Sequence, residues 1–473
     1  MSEWRTERDS LGEVRVPAGA YYGAQTQRAV ENFPISGVRA PRPLVVACAY
    51  VKKAAALANR DVGNLPAPVA EAIAAAADRV VAGEFRDQFV VDVFNSGAGT
   101  SFHMNVNEVL ANIAIEALGG QRGDYSLVHP NDHVNYGQST NDVIPTAARL
   151  AAVLMVPGLL AALERLEAAF RSKSKEFDGI LKAGRTHLQD AVPVRLGQEF
   201  GAYARALGKA AKAIEVAADA CRELGIGGSA TGTGLNTHPE YAARTVAYLA
   251  EFTGEELRPA PDRFEAMQSQ GPVVELSGAL RLLAVELIRI ANDLRLLSSG
   301  PTTGLGEIRL PAVQPGSSIM PGKVNPSIPE MVNMVGFAVL GNDLTVATAA
   351  QAGQLELNVM MPVIAYKLLD SLEILTNACR VFAERCVGGI EADAGRCRAY
   401  AERTLGLATA LNPYIGYLAA AEVAKEALAT GRTIREVVLE KSLLNAEELD
   451  GILDPKAMTE PRERLDKEQR EPS

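Results

Sequence analysis

Apolar residues recur through the middle of the chain at alternating steps of four and three positions. The longest series contains Leu276, Leu280, Leu283, Leu287, Ile290, Leu294 and Leu297, and similar series run from Leu159 to Phe170 and from Leu368 to Cys386. Such steps place the apolar side chains in one stripe along a helix. Because long striped helices pack nearly parallel, the pattern predicts a helical bundle.

Further helical patterns extend this prediction along the chain. Two long ones cover 196–224 and 328–350, which brings the expected number of long helices to about five. The shorter ones cover 44–59, 67–82, 105–118, 433–441 and 446–453. No strand-like alternation of any length is expected, and the charged segment 460–473 is expected to be a loose tail.

These segments predict an all-α fold with three helical domains. The boundaries follow the change from short to long helices and back: an N-terminal helical domain over 1–138, a central long-helix bundle over 139–392, and a small C-terminal helical domain over 393–473. Stripes of this length also suit packing against a second chain, which favours a helical oligomer.

Composition excludes several classes of protein. The chain has 473 residues, 48% of them hydrophobic and 22% charged, which is typical of a globular protein. Its formal net charge of -10 argues against a nucleic-acid-binding protein. No run of about 18 apolar residues is evident, so no membrane span is expected. The absence of an apolar leader and the five scattered cysteines predict a cytoplasmic protein with reduced thiols.

Four polar segments interrupt the helical patterns and carry the candidate chemistry. They are rich in Gly, Ser, Thr, Asn and His, and they cover 96–105, 129–142, 184–190 and 304–326. None has the spacing of a zinc site, a dinucleotide-binding loop or a phosphate-binding loop. We therefore expect neither a metal nor another cofactor.

The segment 304–326 suits an anion. Its glycines and prolines prevent a helix and allow backbone amides to turn toward a ligand. Lys323 adds a positive charge and Asn325 adds two donors, a combination that suits a carboxylate, and Ser317 and Ser318 add hydroxyl groups. An exposed loop with a solvated lysine explains the same residues equally well.

Two other polar segments also have two interpretations. His187 lies between Thr186 and Gln189, so it is a candidate acid, base or hydrogen-bonding group. A lone histidine of this kind is more often a structural residue at the start of a helix. The run from Ser139 to Asp142 either binds an anion or caps the helix that follows.

Taken together, these segments resemble the aspartase/fumarase superfamily. Residues 316–325 match its signature G-S-S-x-M-P-x-K-x-N, which is a very specific motif. Other segments are similar in the same order, at 97–101, 129–132, 138–142, 184–190 and 232–236. The resemblance covers the chain from about Asp9 to about Pro455.

This resemblance implies a fold, an assembly and roles for individual residues. Its members are homotetramers of three-domain helical chains, with a central core of twenty helices and active sites that each take segments from three subunits. Ser317 would be the general base, and His187 the second catalytic residue. The substrate would be bound by Thr100, Ser101, Ser139, Thr140, Asn141, Thr186, His187, Ser318, Lys323 and Asn325. Glu330 would pair with the histidine, and His129, Asn131 and Asp132 would form a secondary dicarboxylate site.

The same resemblance predicts the reaction but leaves the leaving group open. Segments at 97–101, 292–301, 329–333 and 353–360 look like aspartate ammonia-lyases, whereas 236–241 leans toward fumarases. We expect reversible elimination of ammonia from L-aspartate to give fumarate. The alternatives are hydration of fumarate to L-malate, a lyase for a substituted aspartate, and a structural protein on the same fold. Three residues depart from the family: His103 stands where Asn is usual, Thr302 where Arg is usual, and Met361 where aspartases carry Glu.

Overall fold

The structure is a computed structural model that describes residues 4–461, apart from the side chains of residues 455 and 456. Most of the tail expected at 460–473 therefore lies outside the described residues. The strands form four two-stranded sheets. They are β1 (Trp4–Asp9), β2 (Gly12–Pro17), β3 (Leu181–Thr186), β4 (Gln189–Arg195), β5 (Glu223–Leu224), β6 (Arg258–Pro259), β7 (Ile308–Arg309) and β8 (Glu391–Ala392).

Helices make up most of the described chain. The first eight are α1 (Ala24–Asn32), α2 (Arg42–Asp61), α3 (Ala67–Ala82), α4 (Thr100–Ala117), α5 (Thr140–Glu176), α6 (Leu196–Ala220), α7 (Tyr241–Thr253) and α8 (Arg263–Gln268). The others are α9 (Gly271–Leu297), α10 (Ser327–Ala350), α11 (Met361–Arg385), α12 (Ala394–Arg403), α13 (Ala408–Ile415), α14 (Tyr417–Thr430), α15 (Ile434–Glu440), α16 (Ala446–Ile452) and α17 (Pro455–Thr459).

The predicted all-α class and the predicted long helices are confirmed. Within residues 4–461, five helices have 24 or more residues, namely α5, α6, α9, α10 and α11. The leucine stripe of α9 is buried along its whole length, with Leu276, Leu283 and Leu294 all at 0% exposure. The stripe therefore forms an internal contact, as its spacing predicts.

The chain divides into two compact units. One contains the described residues up to Leu163 together with Lys209–Leu287 and Met334–Cys379. The other contains Glu164–Gly208, Ile288–Asn333 and the described residues from Arg380 onward. The three-domain division at 138 and 392 stays a prediction.

In the first unit, buried polar contacts join the long helices side by side. Asp343 on α10 accepts a hydrogen bond from Ser277 of α9 at 2.7 Å and forms an ion pair with Arg281 of α9 at 2.9 Å. Asn342, the next residue, donates to Asp370 and Ser371 of α11 at 2.8 and 3.1 Å. Two adjacent polar residues of α10 thus connect it to two other long helices, Asp343 to α9 and Asn342 to α11.

In the second unit, aromatic rings connect the long helices. Phe170 of α5 packs against Phe200 and Tyr203 of α6 and against Phe382 of α11, with ring centroids 5.7–5.9 Å apart. Aromatic pairs at this separation add to the stability that their buried area provides. The C-terminal helices α13 to α16 enclose a separate apolar cluster that includes Leu411, Val423, Val437 and Leu449.

Two β-hairpins contradict the expectation of no strands. In β2, the buried Val14 and Val16 alternate with the exposed Glu13 and Arg15, so an alternating pattern exists, although the strand has only six residues. The hairpin of β3 and β4 is closed by a two-residue turn at His187 and Leu188. Both residues have positive φ, at 54° and 61°, which a turn of this kind requires but which neither residue type favours. The usual sequence signal, a glycine or asparagine, is therefore missing.

Among the described residues, two helices are long and apolar enough to cross a membrane by length and composition alone. They are Thr140–Glu176 and Ser327–Ala350, whose most apolar windows are 67% and 39% buried. Charged residues interrupt both helices, at Arg149 in the first and at Glu330 and Asp343 in the second, so neither contains an unbroken run of about 18 apolar residues. Burial of the first helix fits the core of a folded domain, which passes the same test.

Candidate active site

The predicted site residues fall into two groups, each inside one unit. The first group lies where α4 and α5 begin. Thr100 is the first residue of α4 and Thr140 the first residue of α5, and their hydroxyl oxygens are 3.1 Å apart. Helix N-termini present unpaired backbone N–H groups and the positive end of the helix dipole. Two of them side by side suit a carboxylate.

The start of α5 is capped as the sequence predicted. The Asn141 amide donates to the Ser139 hydroxyl at 3.2 Å, and the Ser139 amide donates to the Asp142 carboxylate at 2.9 Å. This reciprocal cap fixes Thr140 between its two members. Capping and ligand binding are therefore compatible here, because Thr140 itself takes no part in the cap.

A tight left-handed turn delivers Thr100 to this place. Gly97, Ala98 and Gly99 have φ of 69°, 57° and 100°. Glycine adopts such angles freely, whereas alanine does so at a cost of roughly 1–2 kcal/mol. The Thr100 hydroxyl closes the turn by donating to the Gly97 carbonyl at 2.6 Å. Ser101 follows, partly buried, in the first turn of α4.

Buried polar side chains lie beneath these hydroxyls. His103 is 1% exposed, and its Nδ1 lies 2.8 Å from the Thr140 hydroxyl. Lys52 is fully buried and donates to Asn135 and Gln138, both at 2.8 Å. Burial lowers the pKa of Lys52 to about 7, while Cys48 and Asp142 act in the opposite direction. A buried cation therefore lies close to the predicted substrate segment.

Asp142 and Asn141 connect this group to a distant part of the chain. The second carboxylate oxygen of Asp142 accepts from the amides of Gly227 and Ser229, both at 3.0 Å, and the Asn141 side chain donates to the Ala230 carbonyl at 2.8 Å. Burial raises the pKa of Asp142 to about 6, and the amides that it binds partly offset this increase. Asn141 is one of the predicted ligand residues, whereas the bonds of Asp142 to residues 227 and 229 have no local signal in the sequence.

The second group contains the glycine-rich loop, which is closed on itself. The Gly316 amide donates to the Lys323 carbonyl at 2.7 Å, and the Asn325 side chain donates to the Gly316 carbonyl at 2.7 Å. A Cβ at residue 316 would lie 2.6 Å from that Lys323 oxygen, so only glycine allows this approach. Asn325 therefore uses part of its donor capacity inside the loop.

The Ser317 hydroxyl is held by two backbone amides of its own loop. Its hydroxyl oxygen accepts from the amides of Ile319 and Met320, at 3.2 and 3.0 Å. Two amide donors on one oxygen favour its deprotonated form. Ser318 and Lys323 are exposed on the same loop. The loop thus combines a partly buried hydroxyl with an exposed lysine.

His187 lies at the exposed tip of the hairpin of β3 and β4, beside the exposed Thr186. The interpretation of this segment as a helix start is wrong, because the chain forms a hairpin instead. Positive φ at both turn residues, neither of them glycine, is a strained arrangement that is common at functional sites. The turn leaves the His187 imidazole exposed, without a hydrogen-bond partner among residues 4–461.

A buried ionic cluster connects this hairpin to the root of the glycine-rich loop. Glu307, which is 0% exposed, accepts from Arg185 of β3 at 2.9 Å and lies 3.5 Å from Lys182 of β3. Lys182 also pairs with Glu199 of α6 at 2.9 Å. Burial raises the pKa of Glu199, although Lys182 opposes the change. Sequence analysis missed this cluster, because its members are scattered over more than a hundred positions.

The remaining predicted residues have other surroundings. Glu330 is exposed in the first turn of α10, and no hydrogen bond or ion pair joins it to His187 among residues 4–461. His129 uses Nδ1 to accept from the amides of Asn131 and Asp132, at 3.1 and 3.2 Å. Because Nδ1 then carries no proton, its 3.4 Å approach to the Asp132 carboxylate is not an ion pair. The secondary dicarboxylate site stays a prediction.

Metal ligands need several His, Cys, Asp or Glu side chains close together. Within the described part of the chain, no group of three or more such residues is placed to hold a metal ion. The expectation that no cofactor is needed stays a prediction.

Comparison with known protein families gives two matches. The family described as Lyase matches residues 12–341, and the family described as Fumarase C C-terminus matches residues 407–460. Together they cover most of the chain, including every predicted site residue.

The similar proteins include both aspartate ammonia-lyases and a fumarate hydratase. Aspartate ammonia-lyases from Bacillus subtilis and Pseudomonas fluorescens are 48% and 52% identical to this chain, each over 98% of it and 97% of the relative. A class II fumarate hydratase from Halobacterium salinarum is 55% identical over 97% of this chain and 98% of the relative. Identity alone therefore does not separate the two names.

A solved structure agrees closely with the fold. The crystal structure of a fumarate lyase:delta crystallin from Brucella melitensis bound to cobalt superposes with a TM-score of 0.94 and 54% identity. The match covers 97% of this chain and 100% of the other.

Proposed function

Because this chain belongs to the aspartase/fumarase superfamily of lyases, we propose that it is an aspartate ammonia-lyase, which reversibly eliminates ammonia from L-aspartate to give fumarate. The choice of ammonia as the leaving group rests on the aspartate ammonia-lyases among the relatives, and the observation that supports proton abstraction is the hydrogen bonding of Ser317. Its hydroxyl oxygen accepts from two backbone amides in a loop that also carries an exposed lysine. This is an arrangement for a serine that works as a base.

The chemistry explains why a serine needs such surroundings. A serine hydroxyl is a weak base at neutral pH unless nearby donors and positive charge stabilise its alkoxide. The alkoxide removes the proton from the carbon beside one carboxylate of the substrate. A second negative charge then develops on that carboxylate, which becomes an aci-carboxylate. The bond to nitrogen breaks next, and ammonia leaves as the double bond of fumarate forms.

Catalysis depends on holding the doubly charged intermediate more tightly than the substrate. Lys323 and Asn325 suit this task, because one is a cation and the other an amide donor. A single donor to such an oxyanion is typically worth about 3–4 kcal/mol. In the proposed site, Thr100, Ser101, Ser139, Thr140, Asn141, Thr186, His187 and Ser318 supply the other contacts to the dicarboxylate. Glu330 would orient the imidazole of His187.

A second candidate function has a specific observation in its favour. The relative named as a class II fumarate hydratase is more identical to this chain than the two aspartate ammonia-lyases are, at 55% against 48% and 52%. That reaction removes water from L-malate by the same proton abstraction. The two functions differ only in the leaving group.

A substrate comparison tests the proposal directly. The purified protein is incubated with L-aspartate and, separately, with L-malate, and fumarate is followed by its absorbance. We expect fumarate from aspartate, together with an equal amount of ammonia. Turnover of malate alone would reject the ammonia-lyase assignment in favour of fumarate hydratase. No turnover of either would favour a substituted aspartate or a structural protein.

We further propose that the chain acts as a homotetramer with a twenty-helix core and active sites shared between three subunits. Support comes from α10, where Met334, Phe337 and Leu344 are 58%, 58% and 69% exposed at steps of three and seven. These apolar side chains form one stripe that a partner helix can cover. Membership of the superfamily points the same way.

A cytoplasmic location is also proposed. The five cysteines Cys48, Cys221, Cys379, Cys386 and Cys397 are all free and buried. Burial raises the pKa of the Cys48 thiol to about 12, so that it stays protonated and unreactive. Unpaired thiols are typical of proteins in reducing compartments.

A further inference from the structure

His103 begins a chain of three short contacts that ends at the surface of the proposed site. Its Nδ1 lies 2.8 Å from the Thr140 hydroxyl oxygen. That oxygen lies 3.1 Å from the Thr100 hydroxyl, which donates to the Gly97 carbonyl at 2.6 Å. His103 and Thr140 are 1% and 8% exposed, whereas Thr100 is exposed. The chain thus leads from the protein interior to the place where a ligand would bind.

The ionisation of His103 determines which way the hydrogens point. Burial, helped by the positive charge of Lys52, holds the pKa of His103 well below its usual value, so the ring is neutral and carries one N–H group. Its Nε2 is buried and has no hydrogen-bond partner among the described residues. A hydrogen on Nε2 would be an orphaned buried donor, which is rare and costly. A hydrogen on Nδ1 leaves only an unused lone pair, so His103 donates to Thr140.

This direction leaves the hydrogen of Thr140 free for another acceptor. Because Thr100 uses its single hydroxyl hydrogen on the Gly97 carbonyl, the Thr140 hydrogen has the Thr100 oxygen, 3.1 Å away, as its acceptor when no ligand is bound. We propose that His103 is a positioning residue, which keeps Thr140 as a hydrogen-bond donor to one carboxylate of the substrate. In the opposite tautomer, Nδ1 of His103 would accept the hydroxyl hydrogen of Thr140. The Thr140 oxygen would then offer only lone pairs to the substrate carboxylate, which repels them. The ligand class, a dicarboxylate, rests on the proposed function.

The electrostatics of the same place favour a carboxylate over the amino group of the substrate. Both α4 and α5 begin there, and each contributes the positive end of its dipole. The buried Lys52 lies close enough to affect the ionisation of His103, and it adds a positive charge when it is protonated. The two helix dipoles disfavour a positively charged ammonium group at this place.

Two variants at residue 103 test the proposal. His103→Asn keeps an N–H donor at almost the same position, because the amide nitrogen of asparagine and Nδ1 of histidine are both attached to Cγ. His103→Leu has a similar shape but no donor. Succinate, a dicarboxylate without a leaving group, is titrated into each protein by calorimetry. We expect His103→Leu to weaken succinate binding about fivefold, the usual worth of one hydrogen bond, and His103→Asn to stay within about twofold.

A second pair of variants separates positioning from a merely structural role. Thr140→Val removes the hydroxyl through which His103 would act. We expect His103→Leu to change succinate affinity by less than about twofold in the Thr140→Val protein, because the hydroxyl through which His103 acts is absent there. Equal losses in both backgrounds would overturn the proposal, and so would equal losses in His103→Leu and His103→Asn. Thermal melting confirms that each variant is folded.

The readout also keeps this proposal separate from the proposed function. Succinate binding needs no turnover, so the proposal can succeed even if aspartate is not the substrate. If His103→Leu raised the Michaelis constant for aspartate but left succinate affinity unchanged, Thr140 would contact the leaving group and the carboxylate assignment would be wrong. If the unaltered protein bound no dicarboxylate at all, both proposals would fail together.

Discussion

At the scale of single residues, the Ser317 oxygen is the group whose surroundings are most suited to chemistry. We predict that Ser317→Ala lowers turnover of aspartate by roughly 100- to 10,000-fold, the usual contribution of a general base. Succinate binding should change little, because the loop amides and Lys323 remain. Steady-state kinetics and calorimetry measure the two quantities.

Ser318→Ala is the matched control for this change. Ser318 lies next in the chain but is exposed, and the described structure gives its hydroxyl no amide donors. We expect it to retain far more activity than Ser317→Ala. Equal losses in the two variants would remove the special role of Ser317.

Lys52 gives a prediction about stability and pH. Its pKa is about 7 in the folded chain but 10.5 in the unfolded chain, so the unfolded chain binds more protons between these values. The contribution of Lys52 to stability is therefore complete above about pH 10.5 and is lost as the pH falls toward about 7. We expect Lys52→Met to flatten the dependence of the unfolding free energy on pH in this window. Denaturant titrations at several pH values test it, and parallel profiles would contradict it.

The sequence could identify the hydroxyl and amide residues of the site but not the buried groups that orient them. Thr100 and Thr140 lie in recognisable polar segments, so motif and chemistry point to them together. His103 was noticed only as a departure from the family. Its contact with Thr140 joins positions 37 apart and depends on how α4 meets α5, which no local pattern encodes.

At the scale of secondary-structure elements, Glu307 joins the hairpin that carries His187 to the root of the glycine-rich loop. We predict that Glu307→Gln destabilises the protein by roughly 3 kcal/mol, because Arg185 and Lys182 then lack a buried counter-charge. Turnover should fall as well, since both elements carry proposed site residues. Denaturant unfolding and kinetics on the same sample provide the two measurements.

Arg309→Gln is the control for the Glu307 variant. It breaks an ion pair with Asp393 at 3.1 Å in which the arginine is 66% exposed. Exposed pairs of this kind contribute less than about 1 kcal/mol, so stability should hardly change. If both variants lost a similar amount of unfolding free energy, burial would not be the reason why the Glu307 ion pairs stabilise the protein.

The hairpins mark the limit of pattern reasoning at this scale. Helices such as α3 were predicted to the residue, because their apolar spacing repeats over several turns. The β3–β4 hairpin has strands of six and seven residues and a turn without glycine, so no periodic signal could build up. Its shape depends on contacts such as the bond between Thr404 and the Ala191 carbonyl, which lie far apart in sequence.

At the scale of the whole molecule, the exposed stripe on α10 predicts how the assembly responds to charge. We expect Phe337→Glu to shift the proposed tetramer toward smaller species, because a carboxylate would have to be buried against an apolar partner. Light scattering after size-exclusion chromatography measures the mass. Activity should fall in parallel if the active sites are shared.

Leu428→Glu is the matched control for the assembly. Leu428 on α14 is 70% exposed, a little more than Phe337, but it does not belong to the α10 stripe. Its substitution should leave the mass unchanged. A tetramer that survived Phe337→Glu, or that dissociated equally in both variants, would contradict the assignment of this surface.

The overall architecture was predictable because it follows from repeated spacing. Stripes at steps of four and three located α9, α11 and part of α5, and less regular helical patterns located α6 and α10. The two compact units were not foreseen, since each draws on three separate stretches of chain. Composition changes along a sequence reveal continuous domains and carry no information about discontinuous ones.

The cap at the start of α5 has a consequence for engineering new substrates. Ser139 both belongs to the proposed ligand surface and accepts the Asn141 amide, so a substitution there would also cost about 1 kcal/mol of helix stability. Thr140 and His103 have no such second duty in the cap. A library that varies these two buried positions among residues of similar size, and leaves Ser139 and Asp142 fixed, would therefore explore altered selectivity without removing the cap of α5.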